Sequence, residues 1–320
     1  MRRRVIFFAA AVAGLLAIGL AILVFSNLLE ARRAEAAVLP IGEFLSIDRA
    51  RIHYVELGEG PPVVMLHGLA GNVRNYMQTV ANELARTHRV ILIDRPGSGY
   101  SGRPDGTTAS IQSQAEVVHR VIEELGLQRP TIVGHSLGGA VALAYSARYP
   151  EDLSHLVLLA TPATPFEPGP PVGRFKVDSA FMRTALAYTV AIPASRRSGP
   201  ETLRVIFSPQ SPPEDFGTAG GALLSRRPEQ IIANFEDMSA LNDGLSALTA
   251  ELPTIRTPTT VLFGLDDAIL DLQTHLEALR RLPAATIEEL PGAGHMLMYA
   301  EPEAVVAAVR TATSTETSEP

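Results

Sequence analysis

Between Thr131 and Arg148 the chain switches from one hydrophobic rhythm to another within a few residues. Pro130-Thr131-Ile132-Val133 reads as a short buried strand, and Ala140 to Arg148 reads as a helix. Gly134-His135-Ser136-Leu137-Gly138 forms the corner between them. A corner this tight holds a serine hydroxyl clear of the sheet only in a strained backbone conformation. Side chains at the flanking positions would strike neighbouring backbone, so glycines are required there. The helix that follows aims its first amides at the place where negative charge would develop. A G-x-S-x-G corner in a strand–turn–helix context is a nucleophile elbow, and it commits the chain to a layered α/β architecture.

The rest of the chain agrees with that architecture. Glu43–Ile47, Arg51–Leu57, Pro62–Leu66 (PVVML), Arg89–Ile93 (RVILI), Thr131–Val133, His155–Leu159 (HLVLL), Thr259–Phe263 (TTVLF) and Thr286–Leu290 read as strands. Helical spacing is expected over Asn72–Thr87, Ser110–Leu125, the segment after Ser136, Asp271–Arg281 and Pro302–Thr313. Strands alternating with helices predict a mostly parallel sheet covered on both faces. The alternation breaks at the proline-rich run Thr161–Pro171, beyond which only helical patterns appear, such as Phe175–Ile192 and Glu229–Leu248. One sheet domain interrupted by a helical insertion accounts for this. The expected division is an anchor over 1–29, a linker over 30–40, core over 41–161, a cap over 162–252, core again over 253–313, and a disordered tail over 314–320.

The N-terminus belongs to another solvent. Met1-Arg2-Arg3-Arg4 precedes an uncharged run, Val5 to Phe25. At about 1.5 Å per residue such a run reaches the roughly 30 Å of a bilayer's hydrocarbon core. Ala34-Glu35-Ala36 resembles a cleavage site, but Glu30, Arg32 and Arg33 separate it from the apolar run, so an uncleaved anchor is preferred to a cleaved signal. The leading arginines place the N-terminus on the cytoplasmic side and the catalytic part outside, in a single-pass membrane protein. The net charge of −7 lacks the clustered cations that nucleic acid would need. With no cysteine among 320 residues, a thiol nucleophile and thiolate metal sites are excluded.

A serine needs a base, and a histidine base needs an acid. Of eight histidines, His295 follows the last strand in Pro291-Gly292-Ala293-Gly294-His295 and can swing toward the serine corner. His53, His88, His119, His155 and His275 lie on strand or helix patterns and read as surface or packing residues. Two aspartates, Asp266 and Asp267, follow the strand ending at Phe263; Asp267 lies further past the strand end and is preferred. Asp271 and Asp243 read as capping or surface residues. Two oxyanion donors are expected, the amide of Leu137 at the helix start and that of Leu69 in His67-Gly68-Leu69-Ala70-Gly71. His67 is expected to shape that loop. The order Ser…Asp…His is the one an α/β-hydrolase sheet produces.

On HGLAG (67–71), DRPGSGYS (94–101), GHSLGG (134–139), FGLDD (263–267) and GAGH (292–295) the chain resembles the α/β-hydrolase-fold serine hydrolases over about residues 41–313. The resemblance implies Asp267 as the acid, through Gly264-x-x-Asp267, and a lid between Thr161 and Leu252. It disfavours the aspartate-nucleophile chemistries of similar layout, since serine occupies that position. Apolar lid residues such as Phe175, Phe181, Met182, Ile231, Phe235 and Leu241 divide between packing on the core and lining an acyl pocket. The expected partner is a small hydrophobic ester cleaved by a membrane-anchored serine hydrolase; C–C bond, thioester or amide hydrolysis or perhydrolysis by the same machinery, or a catalytically silent membrane-tethered binding module, are the alternatives. Gly97-Ser98-Gly99-Tyr100-Ser101-Gly102 matches a dinucleotide-binding pattern, but a turn sequence follows it instead of a helix. Its glycines are expected to let the loop pass near the serine loop. Neither a cofactor motif nor a metal-ligand spacing appears.

Overall fold

The structure, a computed structural model, describes residues 2–166 and 177–314. Met1, the end of the proline-rich run over 167–171, the lid residue Phe175 and the tail over 315–320 lie outside the described residues.

The chain runs through α1 (Arg2–Ala37), β1 (Glu43–Ile47), β2 (Ala50–Leu57), β3 (Pro62–Leu66), the short helices α2 (Arg74–Met77) and α3 (Ala81–Leu84), and β4 (Arg89–Ile93). Then come α4 (Ile111–Glu124), β5 (Thr131–His135), α5 (Leu137–Arg148) and β6 (His155–Leu159). The helices α6 (Ala180–Tyr188), α7 (Ala191–Phe207) and α8 (Pro228–Glu251) intervene before β7 (Thr259–Gly264), α9 (Leu272–Leu279), β8 (Ala285–Leu290), α10 (Leu297–Ala300) and α11 (Pro302–Ser314). The eight strands form one sheet in the order β1-β2-β4-β3-β5-β6-β7-β8. Only β1/β2 and β2/β4 pair antiparallel; the other neighbours are parallel.

Alternation along each strand builds two cores. Ile91 and Ile93 of β4 join Val64, Ile132 and the buried faces of α4 and α5, while Val90 and Leu92 join Met65, Val133 and the apolar faces of α3 and α11. Residues buried on both faces of a sheet are why these strands read as unbroken apolar runs. The register places Leu66 opposite Gly134, His135 opposite Leu159, and Gly264 opposite Leu290. The loops after β3, β5, β7 and β8 therefore leave from one edge. The chain winds from β3 to β4 on one side and then sets β5 on the other side of β3, so the sheet's switch point opens between the loops that follow β3 and β5.

Three expected elements differ. The helix over 72–87 is broken into α2 and α3, and at the break the Thr79 hydroxyl donates to the carbonyls of Asn75 (3.1 Å) and Tyr76 (3.3 Å). The helix expected over 175–192 ends at Tyr188. Asn27 Nδ2 donates to Tyr188 O (2.9 Å) and Thr189 O (2.5 Å), and Pro193 has no amide to offer Thr189. The segment 30–40, expected as a linker, is helix as far as Ala37, and its Ala31, Ala34 and Val38 are buried. It lies against the cap, with Arg227 Nε 3.6 Å from Glu35 Oε1 and Arg196 Nη1 3.7 Å from Glu30 Oε1. Residues 5–22 of α1 are exposed, and the helix is long and apolar enough to cross a membrane.

Candidate active site

Ser136 stands at the N-terminus of α5 with φ 51° and ψ −123°, a conformation that side chains other than glycine rarely adopt. Its surroundings hold it there. The Ser136 amide donates to Leu159 O on the neighbouring strand (2.9 Å), and its carbonyl accepts from Gly139 N (2.8 Å) and Ala140 N (3.2 Å). The two glycines of the corner are steric necessities. A Cβ on Gly134 would stand 2.5 Å from Gly139 Cα, and one on Gly138 would stand 2.2 Å from Leu66 O. The hydroxyl is left half-buried rather than sealed.

The loop after β8 brings His295 to this corner. His135 Nε2 donates to the His295 carbonyl (3.0 Å), and the two rings lie 4.9 Å apart between centroids. Burial, together with the nearby His295, pushes the His135 imidazole down to about 3, which leaves it a neutral tie between the loops. His295 Nδ1 donates to Asp267 Oδ2 (2.8 Å). Asp267 Oδ1 accepts from the amides of Ile269 (2.7 Å) and Leu270 (3.0 Å). Burial works to raise this carboxyl, but the His295 hydrogen bond and charge and the two amides outweigh it and hold Asp267 below its ordinary range. His295 Nε2 has no hydrogen-bond partner among the described residues, and none joins it to the Ser136 hydroxyl. Serine and histidine are thus neighbours on abutting loops rather than a closed pair. Asp266 is exposed, Asp271 caps α9 through Thr274 N (3.2 Å), and Asp243 is exposed.

The loop after β3 lies against the same corner. A Cβ on Gly68 would stand 3.1 Å from Ser136 Cβ, and no hydrogen bond among the described residues uses the amides of Leu69 or Leu137. His67 shapes the loop. Its Nε2 accepts from Arg95 N (3.0 Å), so the proton sits on Nδ1, which donates to Gly68 O (2.8 Å). Burial first, and the Arg95 charge second, push His67 down to about 3.

Sequence reasoning missed what stands behind this loop. Arg95 is fully buried, and its guanidinium donates to His67 O (2.8 Å), Gly68 O (3.0 Å), Gln114 Oε1 (2.5 Å) and Asp237 Oδ2 (3.1 Å). Asp237, buried on the cap helix α8, also accepts from Arg103 Nη2 (2.9 Å) and Gln114 Nε2 (3.3 Å). One signal pointed there: Asp237 falls four residues before Leu241 and eight before Leu245, on the apolar stripe of its helix, where a carboxylate needs a buried cation. The glycines of the 97–102 loop meet other neighbours at close range. Gly97 lies against Arg103 and Ala233 of α8, and Gly99 against Asp94. Of the expected lid residues, Ile231 and Leu241 are buried, whereas Phe181 and Met182 are exposed. Among the described residues no group of three or more acidic or imidazole side chains is arranged to hold a metal ion.

A family model described as alpha/beta hydrolase fold matches residues 61–302. The 2-hydroxy-6-oxo-6-phenylhexa-2,4-dienoate hydrolase of Burkholderia cepacia is 30% identical over 266 residues, 79% of this chain and 88% of that one. A solved membrane phospholipase A, described as a bacterial virulence factor, superposes with a TM-score of 0.71 at 25% identity and covers 100% of both chains. An alpha/beta hydrolase fold protein from Burkholderia ambifaria superposes with a TM-score of 0.71 at 25% identity over 85% of this chain and 98% of that one.

Proposed function

The chain belongs to the α/β-hydrolase fold family, and we propose that it is a membrane-anchored serine hydrolase that cleaves hydrophobic carboxylic esters through an acyl-enzyme on Ser136. The observation that carries the reading is the open imidazole of His295, bonded through Nδ1 to Asp267 and tied to the residue next to Ser136. As substrate docks, the hydroxyl–imidazole hydrogen bond closes, since such bonds commonly tighten only in the complex. Ser136 Oγ then attacks the carbonyl carbon while His295 Nε2 takes its proton. Asp267 keeps Nδ1 protonated and stabilises the imidazolium. The amides of Leu69 and Leu137 receive the oxyanion. His295 returns the proton to the leaving alkoxide, and water, activated by the same base, releases the acid.

The membrane part of the proposal is supported by α1, whose run from Val5 to Phe25 is uncharged and is exposed as far as Ile22. The likeness over its full length to a membrane phospholipase A supports a lipid-like ester. With Arg2–Arg4 inside, the catalytic part faces outward. The named activity of the Burkholderia cepacia relative supports a second reading, C–C bond hydrolysis of a 6-oxo-dienoate by the same residues.

A labelled fluorophosphonate on the full chain in detergent tests the chemistry, and Ser136 is the expected site of modification. Folded protein that remains unlabelled sinks the proposal. A series of p-nitrophenyl esters from short to long acyl chains, run beside a 6-oxo-dienoate, separates the two readings. Turnover that rises with ester chain length is expected; turnover of the dienoate alone transfers the assignment to the second. The anchor is tested by deleting residues 2–29, which is expected to release the chain from membranes.

A further inference from the structure

The carbonyl of Gly68 and the amide of Leu69 belong to one peptide group. In the proposed function the amide end points its charge-stabilising hydrogen at the oxyanion, and any part the carbonyl end plays in catalysis rests on that function. The carbonyl end carries an unusual load. It accepts from three donors: His67 Nδ1 (2.8 Å), Arg95 Nη2 (3.0 Å) and Gly71 N (3.2 Å). Donors on a carbonyl oxygen draw electron density away from the amide nitrogen, which strengthens the hydrogen bond its N–H can give. They also fix the plane of the peptide, and with it the direction of that N–H.

One of the three donors is a guanidinium sealed from water and pinned at four points. Arg95 Nε holds His67 O, Nη2 holds Gly68 O, and Nη1 holds both Gln114 of α4 and Asp237 of α8. Asp237 belongs to the cap, not to the sheet. Without a carboxylate, a cation at this depth has no counter-charge within contact. We propose that Arg95, held by Asp237, is a positioning residue for the oxyanion hole: it orients and polarises the Gly68–Leu69 peptide, so that the seating of the cap helix sets how strongly Leu69 N–H binds the oxyanion. The cap then does more than shape a substrate pocket. When α8 is seated, the hole is at full strength; when α8 shifts, Arg95 loses its carboxylate and the Gly68 carbonyl loses its charged donor.

The experiment compares the wild-type full chain with Asp237→Asn, an isosteric change that removes the charge, and with Leu248→Ala. Leu248 is buried near the far end of the same helix, in the sheet-side core and outside the network, so its truncation removes packing there while α8 stays seated at Asp237. Three quantities are read for each: the thermal midpoint, kcat and KM on a p-nitrophenyl ester below both midpoints, and the inhibition constant of a trifluoromethyl ketone. That inhibitor presents an oxyanion once added to Ser136. Removing a whole oxyanion donor costs about 10²–10³ in kcat, so weakening one is expected to cost about 10-fold. Asp237→Asn should lower kcat about 10-fold, leave KM within about twofold, and weaken the ketone in proportion to kcat. Leu248→Ala should lower the midpoint and leave both kcat and the ketone nearly unchanged.

An Asp237→Asn enzyme with a lowered midpoint but unaltered kcat and ketone affinity overturns the proposal and leaves Asp237 a structural residue. If that variant does not fold, Gln114→Ala, which removes the neutral partner at Nη1, carries the test with an expected drop of about threefold; no drop then overturns it. Failure of fluorophosphonate to label the wild type at Ser136 is a separate outcome, which removes the underlying serine chemistry.

Discussion

Two aspartate–histidine pairs in this protein look alike and do opposite things. His295 donates to Asp267 at 2.8 Å and His53 pairs with Asp94 at 2.7 Å, both through Nδ1. Each carboxylate also holds backbone amides: Ile269 and Leu270 on Asp267, Val73 and Tyr100 on Asp94. The difference lies at the other end of the ring. His53 Nε2 is in contact with Ile41 O, so both nitrogens of this ring are occupied within the fold. His295 Nε2 has no hydrogen-bond partner among the described residues, and the His295 carbonyl is held by His135, the residue before Ser136. A carboxylate–imidazole bond is therefore not a sign of catalysis by itself. What makes one pair a candidate base is the unbonded far nitrogen on a residue tied to the loop that carries Ser136.

The two pairs should respond differently to truncation and to pH. Truncating the open pair has the largest expected effect: Ser136→Ala or His295→Ala lowers ester turnover by about 10⁴-fold or more, with little change in the thermal midpoint. Asp267→Asn comes next, at about 10⁴-fold, because the wrong tautomer of His295 is then stabilised. Asp266→Asn beside it leaves kcat alone. Equal losses from both would reopen the choice between them. Truncating the closed pair reverses the pattern. His53→Ala leaves Asp94 buried without its donor partner and lowers stability by about 3 kcal/mol in urea titration, with kcat held within about twofold. A kcat loss without a stability loss would mean that the two pairs are not different in kind.

A third class of histidine sharpens the comparison through pH. His67 and His135 both lie at about 3 in the folded protein against an ordinary value of 6.5. The unfolded chain takes up protons below 6.5 that the folded chain refuses, so the fold loses stability as pH drops from 6.5 toward 3, and gains nothing above 6.5. The slope for the two together is about 3 kcal/mol per pH unit. Asp267, held below 3.8, works in the same direction at lower pH, its contribution being lost as the folded carboxyl protonates. Thermal midpoints at pH 7.5, 6 and 5 should be flat over the first interval above 6.5 and steep over the last. A midpoint unchanged down to pH 5 would show that these imidazoles are not held neutral.

Much of the sheet was legible because apolar runs report burial on both faces. The strands over Pro62–Leu66, Arg89–Ile93 and His155–Leu159 have the bounds that their composition predicts. Helix ends were less legible, since side chains from elsewhere decide them. Asn27 of α1 occupies the carbonyls that end α6, and nothing near Tyr188 in sequence announces Asn27. The linker over 30–40 failed for the same reason, being helix as far as Ala37 against the cap. At the site, Ser136 and His295 could be singled out from local signals, glycines around a strand end in both cases. Arg95 could not, because a charged residue after a strand looks solvent-exposed until a carboxylate 142 positions away is brought against it.

Local pattern in the chain was enough for the mostly parallel α/β sheet, for the corner that strains Ser136, and for an apolar N-terminal helix long enough to cross a membrane. These depend on local spacing and steric exclusion, which short stretches encode completely. Only the folded chain brings Asp267 rather than Asp266 against His295, occupies His53 with Ile41, and sets a cap carboxylate behind the Gly68 carbonyl. Each of those depends on which groups are shut away from water together. That is settled when distant segments close on one another, because a charge or a hydrogen-bonding group acquires its partner only once the solvent that served it has been displaced.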